Sequence, residues 1–218
     1  MRMKRNPFAV SPTPSKNGRC TYAATVAQAI ESRRALLDRA LAQLAERPGV
    51  LALIAAWLVD TLRRGNKVLI AGNGGSAAEA QHFAAELVGR FKRERAPYPV
   101  LAITTDTAIL TAVSNDYGYD HVFARQVTAL AGPGDLLMLF STSGESRNVL
   151  AAAEAGRNRG AAVIAFTGQR RSRLERFADL TARLPASDTT LIQELHTIVT
   201  HILCELVESE LEASRGGE

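Results

Sequence analysis

The sequence predicts an α/β fold, a five-stranded parallel sheet flanked by helices with an N-terminal helical hairpin. The first observation is that five short runs are apolar at every position rather than alternating, which is typical of strands covered on both faces. These runs lie at 67–71, 99–103, 135–140, 162–166 and 179–184. The second observation is that short connections join these runs to intervening helical segments, a pattern that favours parallel strands with right-handed crossovers.

Two helices precede the first strand, at 22–46 and 49–64, and their apolar residues follow helical spacing, as in Val26, Ile30 and Leu37. The sequence places no strand between them, so we expect an αα-hairpin on the sheet or on a partner subunit. Further helices are predicted between the strands and after the last one, at 76–90, 107–114, 119–131, 146–159, 170–177 and 190–212.

Length and composition indicate an ordinary globular chain with a basic tail. Its 218 residues are 46% hydrophobic and 22% charged, which suits one domain. The net charge is +4, and residues 1–20 hold five basic side chains and no acid. The rest of the chain is therefore about −1, unlike the basic face expected of a nucleic-acid-binding domain. We predict a disordered basic tail at 1–20, a single domain at 21–218 and no nucleic-acid partner.

Cysteine usage and hydropathy bear on the compartment. Cys20 and Cys204 form neither a disulfide framework nor the spacing of a metal finger, which favours a reducing compartment. The apolar runs are far shorter than the roughly 20 residues that a membrane-spanning helix needs. We therefore expect a cytoplasmic protein without a membrane partner.

A glycine-rich loop follows the first predicted strand. The run from Gly72 to Ser76 ends a buried strand and opens an alanine-rich helix, so free backbone N–H groups lie at the positive end of the helix dipole. On the same helix, His82 and Glu86 are four residues apart and share a face. An anion-binding site beside this pair suggests that the protein binds a phosphorylated substrate and acts on it through acid–base or metal chemistry. The loop lacks the lysine of a P-loop and the glycine spacing of a dinucleotide site.

A second loop, Ser141 to Ser146, follows the third strand and precedes another helix. It holds four hydroxyl side chains and one glycine within six residues. Because a single helix N-cap needs only one hydroxyl, this excess favours phosphate binding over simple capping. Ligands bind at the carboxyl ends of the strands in such sheets, so both loops are expected at the site.

Four segments resemble the phosphoheptose isomerase family (sedoheptulose 7-phosphate isomerases), a branch of the sugar-isomerase (SIS) domain group. They are Gly72–Phe91, Ser114–Val127, Ser141–Leu150 and Ile192–Glu208, and the resemblance covers about residues 25–212. It implies the SIS fold, a flavodoxin-like three-layer arrangement. It also implies an aldose–ketose isomerase that converts sedoheptulose 7-phosphate to D-glycero-D-manno-heptose 7-phosphate for bacterial heptose precursors. The family forms tetramers with active sites at subunit interfaces.

The resemblance also assigns roles to residues. Glu86 and His201 match the acid–base pair. The phosphate-binding positions match Ser141, Thr142, Ser143 and Ser146. The other substrate-binding positions match Asn73, Gly74, Gly75, Glu86, Asn115, Asp116 and Gln193. A zinc site described for some members, with one Zn(2+) per subunit, matches His82, Glu86, Gln193 and His201.

Two stretches depart from the family's usual pattern. Glu145 lies inside the phosphate loop where Asn is usual, and a carboxylate there would repel phosphate unless it points to solvent. After Thr167-Gly168 the family often has a Gly-Gly turn, whereas this chain continues with Gln169 to Arg173. We expect the second departure to alter the geometry of that loop and not the chemistry.

Helix geometry leaves the metal assignment open. Gln193 and His201 are eight residues apart, which corresponds to about 12 Å of rise and roughly 80° of rotation along one helix. Both would reach one metal from a straight helix only at nearly maximal extension toward each other. The alternatives are a bent helix or ligands supplied by two subunits. Zinc would be either the Lewis acid or an incidental occupant of an acid–base site. His196 lies about 140° from His201 around the helix, so we expect it to pack in the core or at an interface.

Other residues are expected to be structural. Cys204 and Trp57 lie among apolar neighbours and are predicted to pack, and His121 is predicted at the surface or an interface. Two other functions remain open, a non-enzymatic SIS tetramer that binds the replication initiator and a sugar-phosphate-binding regulator. The presence of His201 favours an enzyme over the non-enzymatic tetramer. The second usually needs an additional domain, for which this chain has no residues left.

Overall fold

The computed structural model describes residues 22–213. The predicted disordered tail at 1–20 and Cys20 lie outside these described residues. Contacts divide the chain into two compact units, of which one ends at Leu36 and the other begins at Leu37. In the first unit, Tyr22, Val26 and Ile30 are exposed, at i, i+4 and i+8 of one helix. The second unit contains the sheet and both predicted ligand loops.

The described residues form alternating helices and strands as the sequence predicts. The strands are β1 Val68–Gly72, β2 Val100–Ala102, β3 Leu136–Phe140, β4 Ala162–Thr167 and β5 Leu180–Arg183. The helices are α1 Tyr22–Glu46, α2 Gly49–Arg63, α3 Gly75–Val88, α4 Thr107–Tyr117, α5 Val122–Leu130, α6 Arg147–Asn158 and α7 Thr189–Ala213. Short 3₁₀ turns occupy Tyr119–His121 and Leu174–Arg176.

The predicted helix at 170–177 is wrong, since only the 3₁₀ turn Leu174–Arg176 forms there. Backbone N–H groups of this stretch bond outside it, and the N–H of Arg173 donates to the Glu145 carboxylate at 2.8 Å. Leu174 likewise donates to the carbonyl of Gly144. These long-range partners replace the carbonyls four residues back that a helix would use.

The five strands form one sheet in the order β2-β1-β3-β4-β5, and each adjacent pair is parallel. Alternate strand residues face opposite layers, so Ile70 and Met138 pack with α2, α3 and α7 while Leu69 and Leu137 pack with α5 and α6. Strands with apolar residues on both faces are required by this three-layer arrangement. The fold class predicted from the sequence is therefore confirmed.

The strand order places a switch point between β1 and β3. The chain leaves β1 toward β2 on one side and returns to β3 on the other, so the connections that follow β1 and β3 diverge. The strands end at Gly72 and Phe140, which are paired in register. The glycine-rich loop and the hydroxyl-rich loop therefore begin side by side at the edge where such sheets bind ligands.

Across residues 22–213, no single helix is long and apolar enough to cross a membrane, although α1 and α2 together pass the same test as a bent pair.

Candidate active site

Helices α3 and α7 bring three of the predicted functional side chains together. His82 Nε2 and His201 Nε2 are 2.7 Å apart, and His82 Nδ1 lies 3.8 Å from Glu86 Oε1. One ligand atom from each of these three residues lies within 4.8 Å of the others. Since the two facing imidazole atoms are both Nε2, one ring donates the proton and the other accepts it. The arrangement can hold a proton or a metal ion between two imidazoles and a carboxylate.

A buried ion pair supports the position of His201. The ring of Phe91 stacks on His201, with centroids 5.4 Å apart. The Glu208 carboxylate accepts hydrogen bonds from the backbone N–H groups of Phe91, Lys92 and the next residue, and from Arg95 Nε at 3.0 Å. Burial alone would raise the pKa of Glu208, but these donors outweigh it and hold the pKa below its usual value. The segment that carries Phe91 is thus fixed to the helix that carries His201.

Glu79 is a buried carboxylate that the sequence analysis did not select. It accepts hydrogen bonds from the hydroxyls of Thr197, at 2.6 Å, and Thr200. These contacts join α3 to α7 one turn before His82. The sequence could have indicated Glu79 through its spacing, because residues 79, 82 and 86 lie at i, i+3 and i+7 on one helix face.

Gln193 contacts the beginning of α3 rather than its middle. A Cβ placed on Gly75 would come within 2.4 Å of Gln193 Nε2, so a larger residue there would make this amide move. Gln193 and His82 both line a groove of about 470 Å³ between the two helices. His201 makes its contact at His82, seven residues after Gly75 on α3, which corresponds to about 10 Å of rise. The two predicted ligands on α7 therefore meet different turns of α3.

The hydroxyl-rich loop lies between β3 and α6. The Ser141 hydroxyl accepts a hydrogen bond from the Gly144 N–H at 3.1 Å, and the Ser143 hydroxyl accepts one from the Glu145 N–H at 3.2 Å. Ser146 is the N-cap residue of α6, yet its side chain makes no capping hydrogen bond within the described chain. Ser146 therefore does not cap α6 with its side chain, and phosphate binding by these hydroxyls stays a prediction. Their arrangement around a helix N-terminus suits an anion.

A reciprocal amide pair connects the glycine-rich loop to the first turn of α6, which follows the hydroxyl-rich loop. Asn73 Nδ2 donates to Asn148 Oδ1, and Asn148 Nδ2 donates to Asn73 Oδ1, both at 2.8 Å. The Tyr119 hydroxyl also donates to Asn73 Oδ1 at 3.1 Å. The side chain of Asn73 is thus held by protein partners that the sequence analysis did not select. Gly74 precedes α3 as its N-cap residue and is exposed.

Asn115 and Asp116 lie in the last turns of α4 and are exposed. The Asn115 amide donates to the Asp116 carboxylate at 3.0 Å. Their predicted contacts with the sugar stay predictions.

The residues expected to be structural lie where they were predicted. His196 is fully buried edge-on to the rings of Phe140 and Phe166, and neither of its nitrogens has a hydrogen-bond partner among residues 22–213. Burial lowers the pKa of His196 to about 4. Cys204 is buried and Trp57 packs on the same core. His121 is exposed.

A parallel sheet with two ligand loops at its switch point places the chain in the sugar-isomerase class, and the family model of the SIS domain matches residues 28–168. The phosphoheptose isomerase of Roseiflexus sp. (strain RS-1) is 54% identical over 162 residues, which cover 74% of this chain and 82% of that relative. The chain belongs to the phosphoheptose isomerase family.

Two solved structures support this assignment. The phosphoheptose isomerase from Francisella tularensis has a TM-score of 0.80 at 36% identity, covering 87% of this chain and 99% of that chain. The one from Neisseria gonorrhoeae has a TM-score of 0.78 at 38% identity, covering 87% of this chain and 100% of that chain. The chain is thus similar to phosphoheptose isomerases both in sequence and in fold.

Proposed function

We propose that the protein isomerises sedoheptulose 7-phosphate to D-glycero-D-manno-heptose 7-phosphate, in the cytoplasm, as a step toward bacterial ADP- or GDP-heptose precursors. The observation that carries the proposal is the meeting of Glu86, His82 and His201 at a groove that His82 lines together with Gly75, the residue of the glycine-rich loop that begins α3. Membership of the phosphoheptose isomerase family supports the same activity. We further propose that residues 21–218 act as one catalytic domain.

In this proposal the substrate phosphate binds the loop from Ser141 to Ser146, and the sugar extends toward the groove. The first turns of α7 line both regions, since Ile192 borders the cavity beside the loop and Gln193 borders the groove. An anion at the loop is stabilised by hydroxyl donors and by the N-terminus of α6. Gln193 is proposed to bind the sugar from the opposite side.

Isomerisation then requires proton transfers at adjacent carbons and at their oxygens. Glu86 removes a proton from C1 of the ketose and returns it to C2, and the electron pair passes through an enediol. His201 moves the oxygen-bound protons between O1 and O2. The hydrogen bond from His82 orients the His201 ring, and the stacked Phe91 ring covers its other side. A covered site limits the loss of the enediol to water.

The same residues fit a zinc ion. Two imidazoles and one carboxylate with ligand atoms within 4.8 Å of one another form a usual zinc donor set. His82, Glu86 and His201 would hold one Zn(2+) per subunit. The proposed fourth ligand, the Gln193 amide oxygen, would come from a second subunit, because within one chain Gln193 and His201 meet different turns of α3. When bound, zinc supplies a Lewis acid that polarises the substrate carbonyl.

We also propose a homotetramer with active sites at subunit interfaces. Two features support it: the separate contacts of Gln193 and His201 along α3, and the exposed apolar residues Tyr22, Val26 and Ile30. Exposed apolar stripes on a helix are typical of interaction surfaces.

The proposed function is tested by incubating the purified full-length protein with sedoheptulose 7-phosphate and detecting an aldose 7-phosphate by NMR. Arabinose 5-phosphate serves as the control substrate, and Glu86→Gln as the control variant. Conversion that depends on Glu86 and is specific for the heptose supports the proposal. Binding of the sugar phosphate without conversion would instead favour a regulator.

A further inference from the structure

The phosphate loop contains a carboxylate. Glu145 follows Gly144 and directly precedes the N-cap residue of α6, and its side chain is 44% exposed. The neighbouring hydroxyls and the helix N-terminus suit an anion, whereas a negative side chain in the same loop repels one. A loop that binds phosphate therefore needs a means of neutralising Glu145.

Arg173 makes three contacts with Glu145. Its Nε donates to Glu145 Oε2 at 2.5 Å, its backbone N–H donates to Oε1 at 2.8 Å, and its Nη2 lies 3.4 Å from the Glu145 carbonyl oxygen. These hydrogen bonds hold the pKa of Glu145 below its usual value, and the bond from the Arg173 side chain has the largest effect. The carboxylate is therefore ionised, and both of its oxygens are bonded to Arg173.

The segment that carries Arg173 is itself attached to the phosphate loop. We name residues 168–174 the bracing segment. Its first residue donates to the Thr142 carbonyl and its last, Leu174, donates to the Gly144 carbonyl, each at 3.1 Å. Gly144 has φ +63°, and a Cβ there would lie 2.2 Å from the Ser172 hydroxyl. Because the backbone is fixed on both sides, the Glu145–Arg173 pair differs from a freely moving surface ion pair.

We propose that Arg173 is a positioning residue for phosphate binding, which fixes the Glu145 carboxylate in an ion pair and so weakens its repulsion of the anion. The inference rests on the proposed function, in which the loop from Ser141 to Ser146 binds the substrate phosphate. Arg173 acts through Glu145 and does not itself touch the substrate. The two departures from the family pattern, Glu145 and the segment from Gln169 to Arg173, are thus linked, because the second supplies the arginine that neutralises the first.

The test measures binding of inorganic phosphate to the full-length protein by isothermal titration calorimetry. Arg173→Ala frees the carboxylate and is expected to weaken binding about 5- to 30-fold, the repulsion expected of a nearby like charge in a partly solvated site. The double variant Glu145→Gln/Arg173→Ala is expected to bind within about twofold of the wild type, because no carboxylate is left to repel. Arg157→Ala is the matched control, since it removes one exposed cation at the far end of α6.

A second measurement repeats the titrations at raised sodium chloride concentration. The deficit of Arg173→Ala relative to wild type is expected to shrink, because salt screens repulsion between exposed charges. Equal weakness of the single and double variants would make Arg173 merely structural and overturn the inference. A wild type that does not bind phosphate, or a single variant with unchanged affinity, would overturn it as well. In a protein that does not convert the sugar, regained phosphate affinity in the double variant would support the role of Arg173. The same result would contradict the proposed isomerase activity.

Discussion

The buried carboxylate of Glu208 offers a sharp test of what fixes the site. Glu208→Gln preserves the size of the side chain but removes the charge that Arg95 and three backbone N–H groups share. Both side chains of the ion pair are buried, at 1% and 0% exposure. Breaking a buried pair on one side costs about 3–5 kcal/mol. We expect the lower end, about 3 kcal/mol, because Arg95 keeps carbonyl acceptors that include Leu87 and Glu86.

The measurement is denaturant unfolding at fixed protein concentration and pH 7, followed by circular dichroism. Glu205→Gln is the matched control, because Glu205 lies one turn earlier on α7 and pairs with Lys92 at the surface, both side chains being more than half exposed. An exposed pair of this kind contributes about 0–1 kcal/mol. Folding lowers the pKa of Glu208. The Glu208 carboxylate therefore makes its full contribution to the free energy of unfolding at pH values above its unfolded pKa, and this contribution is lost as the pH falls below that pKa. Equal, small losses of stability in both variants would refute the reasoning.

Three further predictions concern the site and the core. Glu86→Gln and His201→Ala are each expected to lower turnover about 10²–10⁴-fold with unchanged circular dichroism, and near-normal turnover in either would reject the acid–base assignment. Zinc is expected in protein purified without added metal, measured by elemental analysis, and a chelator should lower activity without lowering the melting temperature. Full activity in metal-free protein would contradict a role for zinc. Burial lowers the pKa of His196 from 6.5 to about 4. Stability should therefore be lost as the pH falls from 6.5 toward 4, by about 3 kcal/mol, and His196→Leu should flatten that part of the unfolding profile.

The sheet could be predicted because its strands are short apolar runs that need both faces covered. Runs such as Leu136–Phe140 carry this information locally, and the structure confirms all five strands with bounds that differ from the predicted ones by at most one residue at either end. The predicted helix at 170–177 failed because partners of its backbone N–H groups, the Glu145 carboxylate and the Gly144 carbonyl, are distant in the sequence. Helical spacing of side chains gives no indication that the N–H groups are already bonded elsewhere.

The site was predictable to the extent that its residues share one element or match a family pattern. His82 and Glu86 follow from their spacing on α3, whereas His201 came only from the family resemblance, because nothing local relates it to His82. Asn148 and Glu208 were missed for the same reason, since each acts on a loop more than 70 positions away. Polar pairs of this kind become visible only when the sheet brings their elements together.

The reciprocal amide pair between Asn73 and Asn148 has a consequence for engineering. Each amide offers the other a donor and an acceptor at once, so a carboxylate at either position would set two acceptors against each other. Substitutions at the two positions should therefore show strong epistasis. A library that randomises one of the two positions to change sugar specificity would mostly contain variants that have lost the hydrogen bonds between Asn73 and Asn148. The glycine-rich loop and the segment from Ser141 to Asn148 should be diversified, or transplanted between relatives, as a single cassette.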